Sequence, residues 1–401
     1  MRDKPDEAPQ AAEKPRKKPN ILLRLIAFLV TLALVVGAVA LVAYRDELNF
    51  DSLRRLFTYR SLSRADSGQA QPFSHGGSGS DLFLSVDGGL LTCSTVGVRL
   101  FSDSGTRYVD EAVSLSSPAA MAAGNWSLAY DVGGREIRVF HGLELAVSLT
   151  MDSGSSILSA RVNSAGYLAV TLQESGYRGA VAVYDSSLQR LLQLHLSSSF
   201  VMDAAVSSDN TTLAVVTMGQ TGGVFESRLE LYVLDHLSAD TVPTPDYTCS
   251  LGNNVVLDLR ESGGAFWALG ETSVSAVSAE GQLLGSYDYS GRYLKEFSLE
   301  GDGYATLLLG RYQTGSQADL VTVGPDGAVL SSRAVEEQVL SLSAAGRYVA
   351  LLTADRLEIY TSGDEPYSTL EGTSGAQKVL MRSDGTAMLV SSREAWLYIP
   401  E

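Results

Sequence analysis

Apolar and polar residues alternate in short bursts along most of this chain, and the bursts come in a fixed order. From residue 81 onward a turn of small or polar residues precedes an apolar strand eight times, as in "VDGGLLTCS", "NSAGYLAVT", "SSDNTTLAVV" and "SAAGRYVALL". The turn positions are Gly88, Gly124, Gly166, Asn210, Gly264, Gly303, Gly346 and Gly385, spaced 36 to 54 residues apart. Glycine and asparagine adopt the positive φ of a two-residue hairpin turn at low cost. A second apolar strand follows each first one, from "VRLF" at 98–101 to "WLYI" at 396–399, at intervals of 37 to 50 residues. A shorter apolar strand precedes each turn ("ILSARV", "VMDAAV", "LKEFSL"). A looser one closes most units ("LQRLLQLHL", "AVLSSRAV").

Four short strands per period of about 40 residues predict an all-β fold, a β-propeller of four-stranded blades. One blade cannot hide both faces of its sheet; stacked between two neighbours in a ring, it can. Eight units fit between residues 81 and 401, with seven as the alternative count because the first and last units are the weakest. The last unit ends at "WLYIPE" with no fourth strand. Open sheet edges invite pairing with other chains. The segment "QAQPFSH", Gln69–His75, is therefore expected to fill the gap, so that the propeller spans 69–401.

The N-terminal part follows a different pattern. Residues 1–24 are polar, basic and broken by proline, which predicts a disordered tail. Leu25–Tyr44 runs for 20 residues without a charge. At about 1.5 Å per residue such a helix spans about 30 Å, the thickness of a bilayer core. Arg24 at one edge can snorkel to headgroups, and Tyr44 suits the opposite interface. The basic run Lys14, Arg16, Lys17, Lys18 and Arg24 predicts a single-pass protein of the cell membrane, its N-terminus cytoplasmic and its body extracytoplasmic. The alternative is a signal peptide cleaved at "AVA", Ala38–Ala40, which also sends the body out of the cytoplasm. Residues 45–68 form a juxtamembrane linker in which Leu53, Leu56 and Phe57 have helical spacing, and "HGGSGS" at 75–80 reads as a flexible loop.

Charge sharpens this division. Residues 1–80 hold 12 basic and 8 acidic residues, a net of +4; residues 81–401 hold 18 and 38, a net of −20. Such a body repels nucleic acid and anionic lipid, so no nucleic-acid partner is expected. The two cysteines, Cys93 and Cys249, give no disulfide framework and read as isolated buried thiols, with one disulfide as the alternative.

Catalytic and metal signatures are sparse. His75, His141, His195 and His236 do not fall at metal-ligand spacing. Asp-Gly pairs such as Asp87-Gly88, Asp302-Gly303 and Asp384-Gly385 recur at one place in the repeat, which marks hairpin turns rather than calcium loops. No catalytic residue, metal site or cofactor is expected. One asymmetry points to binding. The connection between second and third strands is longer in three units: "QESGYRG" (173–179), "MGQTGGVFESR" (218–228) and "GRYQTGSQAD" (310–319). Each pairs an aromatic with an arginine, the residue mix of interface hot spots. Tyr177, Arg178, Phe225, Arg228, Arg311 and Tyr312 are thus the candidate partner-binding face.

Basic tail, apolar helix, the segment "FDSLRRLFTYRSLSRADSGQA" and the blades together resemble an uncharacterised family of membrane-anchored propeller proteins of Gram-positive bacteria. The Gly-His…Trp-Asp signature of WD repeats is missing, as is the tryptophan docking repeat of quinoproteins. The resemblance implies a fold and a location, and no activity. The expected function is a non-enzymatic scaffold, tethered to the membrane by one helix, that meets another envelope protein or a wall polymer. Two alternatives stand beside it. One is a hydrolase or lyase, which would need convergent carboxylates or histidines on the strands lining the central channel. The other is an envelope sensor.

Overall fold

The computed structural model describes residues 28–32, 35–36, 50–237, 244–373 and 375–400. The chain divides into two compact units, Met1–Phe57 and Thr58–Glu401. Arg24, Leu25 and Tyr44, the expected edges of the anchor, lie outside the described residues, as does the tail at 1–24. Between those edges 28–32 and 35–36 are helical with exposed side chains. Among the described residues no helix is long and apolar enough to cross a membrane. The apolar spacing of the linker matches a helix at Phe50–Thr58.

The second unit is a ring of eight four-stranded antiparallel sheets, so the count is eight and not seven. Blades 1 to 7 cover residues 82–112, 118–150, 155–196, 200–250, 256–288, 293–335 and 341–371; blade 8 takes its first three strands from 376–398. Its fourth strand is Phe73–Ser74, with Phe73 opposite Ala395 and Ser74 opposite Glu394. The predicted N-terminal closure is therefore present. All eight expected turn positions have positive φ, from 57° at Gly124 and Gly346 to 89° at Gly166.

The repeat becomes a ring because its sheets bury both faces. Gly179–Tyr184 and Ala305–Gly310 are buried at every position, as strands flanked by two other blades must be. Core clusters run between blades: Leu128, Ile137 and Val139 of blade 2 pack with Ile157, Leu168 and Val170 of blade 3. Each fully buried leucine of this kind contributes about 1.5–3 kcal/mol. At the seam Phe83 and Leu90 of blade 1 meet Met388, Val390 and Leu397 of blade 8, with Tyr59 and Ala70 in the same cluster. The first strand of each blade lies innermost, around the channel. Outer edges are guarded by bulges: the fourth strands of blades 1, 2, 3, 5, 6 and 7 each shift register against the third. A twisted edge is a poor template for another chain.

Two expectations change. The segment 75–80 is a held turn, not a flexible loop. His75 is fully buried, its Nδ1 accepts from the Gly77 N–H (3.2 Å), and its Nε2 lies 3.1 Å from the Ser391 carbonyl. The stretch 218–228 is strand rather than loop. Thr212–Thr221 and Val224–Val233 form one long hairpin closed by Gly222-Gly223, both at positive φ. That hairpin, with the segment before Tyr247–Ser250, explains the longest interval in the repeat.

Candidate functional site

The ring has two unlike faces. First strands begin, second strands end and third strands begin on one side; in blade 4 Phe200 pairs with Met218, which pairs with Ser227. The tight turns leave from the other side. The chain reaches the ring on this turn side, where the Gly68 carbonyl accepts from Ile399 N–H (2.9 Å) at the end of the last strand. Tyr59 anchors it there by donating its hydroxyl to Asp384 Oδ2 (2.8 Å), in the first turn of blade 8. Arg382 beneath donates to Tyr59 (3.3 Å) and to both oxygens of Asp103 in blade 1 (2.6 and 2.8 Å). Burial works against the charge of Arg382, but Asp103 outweighs it and the pKa rises. Burial also pushes the Tyr59 hydroxyl up.

The opposite, loop side carries the residues singled out by sequence. Tyr177 stacks on His195 with ring centroids 4.5 Å apart. Arg178 donates to the Ser197 carbonyl (3.2 Å) and lies 4.7 Å over the Phe200 ring, so it joins blade 3 to blade 4. Phe225 is 62% exposed on the extended hairpin, and Arg228 on the same strand pairs with Glu226 (2.6 Å). Tyr312 is 69% exposed beside exposed Arg311, in the blade 6 connection. The structure gathers Tyr177 and Arg178 into one cluster; the other pairs stand on their own blades of the same face.

Sequence reasoning missed the channel wall. Five first strands carry a bulge at the same place: between Ile157 and Ser159, Val201 and Asp203, Val256 and Asp258, Leu294 and Glu296, and Ala376 and Lys378. A bulge sets two residues against one and interrupts strict alternation. In each strand the residue left without a cross-strand partner, Leu158, Met202, Leu257, Lys295 or Gln377, stands beside a polar one, Ser159, Asp203, Asp258, Glu296 or Lys378. The sequence signal is the break in alternation within "ILSARV", "VMDAAV" and "LKEFSL".

Two of these polar residues, Asp203 and Asp258, belong to a charged network. Arg161 of blade 3 reaches Asp203 of blade 4 (2.5 Å) and Asp258 of blade 5, and Ser159 donates to Asp203 (2.7 Å). Burial alone would lower the Arg161 pKa; the two carboxylates outweigh it and raise it. Arg260 of blade 5 donates to Glu300 of blade 6 (2.9 Å) and to the Ala122 carbonyl of blade 2 (2.9 Å), spanning the channel. Burial raises the Glu296 carboxyl above its ordinary range, against the pull of the Leu342 backbone and Lys378. Among the described residues no group of His, Cys, Asp and Glu is arranged to hold a metal ion. Cys93 and Cys249 are both free and buried, and burial pushes Cys93 up to about 12.

A model of a family of unknown function, DUF5711, matches residues 69–394 of the chain. No curated protein matches the sequence. Solved structures do match its fold. The C-terminal WD40 domain of Sif2 is 12% identical, with a TM-score of 0.55 over 83% of this chain and 96% of that one. Sqt1 from Chaetomium thermophilum is 13% identical, with a TM-score of 0.52 over 85% of this chain and 100% of that one. BamB from Moraxella catarrhalis is 12% identical, with a TM-score of 0.49 over 82% of this chain and 97% of that one.

Proposed function

This chain belongs to a family of unknown function, DUF5711, and on that premise we propose that it is a membrane-tethered scaffold. Its propeller presents one face, outside the cytoplasm, to another envelope protein and catalyses no reaction itself. The observation that carries this reading is the side on which the chain joins the ring. Gly68 lies against Ile399 and Tyr59 against Asp384, so the N-terminal segment leaves from the turn side. On this reading the loop face with Tyr177, Phe225 and Tyr312 is the face turned away from the tether. The turn side also carries Asp87, Asp185, Asp209, Asp302 and Asp326. The Ser207 and Thr211 hydroxyls hold the Asp209 carboxyl below its ordinary range. An acidic face is repelled by anionic headgroups, which suits a disc standing off the bilayer on its stem.

The test is crosslinking in native membranes with the full chain, followed by identification of neighbours. Replacing Tyr177, Phe225 and Tyr312 together by alanine is expected to remove a specific protein neighbour. An unchanged set of neighbours, or a wall polymer as the sole adduct, contradicts the reading.

One observation favours an enzyme instead. The channel does gather carboxylates, and Glu296, with its raised pKa, is suited to proton transfer. Its companions are engaged: Asp203 and Asp258 by Arg161, and Glu300 by Arg260. A Glu296→Gln chain that still captures its neighbour normally supports the scaffold.

A further inference from the structure

We propose that the mouth of the channel over blades 3 to 5 receives an extended segment of the partner protein bearing an apolar side chain beside a lysine or arginine. This rests on the reading of the loop face as the partner face, and it moves the centre of binding from the loop tips to the inner rim. The bulges place Leu158, Met202 and Leu257 on three adjacent inner strands, where they are 36%, 37% and 52% exposed. Exposed Phe200 at the start of the blade 4 strand and Tyr293 at the start of the blade 6 strand extend this crescent. A propeller gains nothing in folding by leaving such side chains in water, and an exposed apolar patch with a polar surround is the mark of a binding surface.

The floor decides the chemistry of the occupant. Next along the same strands come Asp203 and Asp258, which share the one guanidinium of Arg161. Two carboxylates against one cation leave an excess negative charge beneath an apolar rim. Arg260 spans the channel further along its strand, from blade 5 to the Ala122 carbonyl of blade 2, so the recess is closed below on that side. The body outside carries a net charge of −20 over residues 81–401. It therefore attracts a basic segment and repels an anionic lipid surface. An apolar side chain fills the crescent while the adjacent cation meets the excess charge.

The experiment introduces a photoreactive benzophenone amino acid into the full chain in native membranes, at Leu257 on the rim, Tyr312 on a loop tip, or Glu280 on the turn side. Adduct peptides are then sequenced. Adducts at Leu257 that map to a protein segment with an apolar residue next to lysine or arginine are expected. Adducts at Tyr312 alone overturn the proposal and leave the loop face as partner face. Adducts at Glu280 alone, or at none of the three, overturn both. A lipid or glycan adduct at Leu257 overturns the proposal. As a second measurement, Met202→Ser with Leu257→Ser should reduce adducts from the Tyr312 probe about tenfold. Undiminished adducts, in a variant that melts like the parent, also overturn it.

Discussion

Arg382 of the last blade lies 2.6 Å from Asp103 of the first, across 279 residues of sequence, and Tyr59 donates to the neighbouring Asp384. The ring is thus sealed twice: by the strand Phe73–Ser74, and by a buried ion pair onto which the incoming chain is fastened. Breaking one partner of such a pair leaves a charge buried alone, which costs about 3–5 kcal/mol. Asp103→Asn or Arg382→Met is expected to lower stability by that order in denaturant titrations. The double replacement should recover much of the loss.

Truncation separates the two seals. A chain starting at residue 58 keeps Tyr59 and the closing strand, and should stay monomeric and melt as one unit. A chain starting at residue 76 lacks Phe73–Ser74, leaving the strand Glu394–Tyr398 with an open edge. It should aggregate or dimerise, as read by size-exclusion chromatography and light scattering.

Glycines in the first turns differ in what they tolerate. Gly264 has φ +78° with open space where a Cβ would stand, so Gly264→Ala meets only backbone strain, about 1–2 kcal/mol. At Gly263 the same atom would lie 2.6 Å from the Gly303 Cα of the next blade. Gly263→Ala must push two blades apart and should lower the melting temperature more than Gly264→Ala does.

Glu296 sets a pH dependence. Burial raises its folded pKa above the ordinary 4.5, so the folded state holds this proton more tightly than the unfolded chain. Its contribution to stability is fully present below 4.5 and is lost as pH rises through the folded pKa. Glu296→Gln should therefore raise the melting temperature at neutral pH and flatten the profile across that window. A variant less stable than the parent at neutral pH would contradict this.

The ring itself was legible because its signal is repeated. Each blade needs a hinge of positive φ, only a few residue types supply it, and eight copies at one spacing leave little else to build. Gln69–His75 could be named as the closing segment because a missing fourth strand is visible as a gap. The channel wall was not legible. A bulge is a property of pairing register, so the doubled apolar step at the start of "ILSARV" carries no meaning until Thr171 is seen opposite Ser159. Arg161 finds its partners 42 and 97 residues away, a distance no local pattern encodes. Phe225 and Arg228 were read as loop because "MGQTGGVFESR" lengthens the connection between the second and third strands around Gly222-Gly223. In the fold those glycines close a tight turn, and the ladder runs out to Thr221 and Val224.

The proposal stands or falls on the loop face being the one turned away from a membrane to which the chain is tethered. Cys93 and Cys249 are buried, so single dyes can be placed on Gln313→Cys of the loop face or Asp326→Cys of the turn face of blade 6. Energy transfer from each dye to acceptors on the surface of vesicles holding the full chain measures which face is nearer. The account predicts stronger transfer from position 326 than from 313. Stronger transfer from 313, or none from either because the chain does not hold to the bilayer, would contradict it.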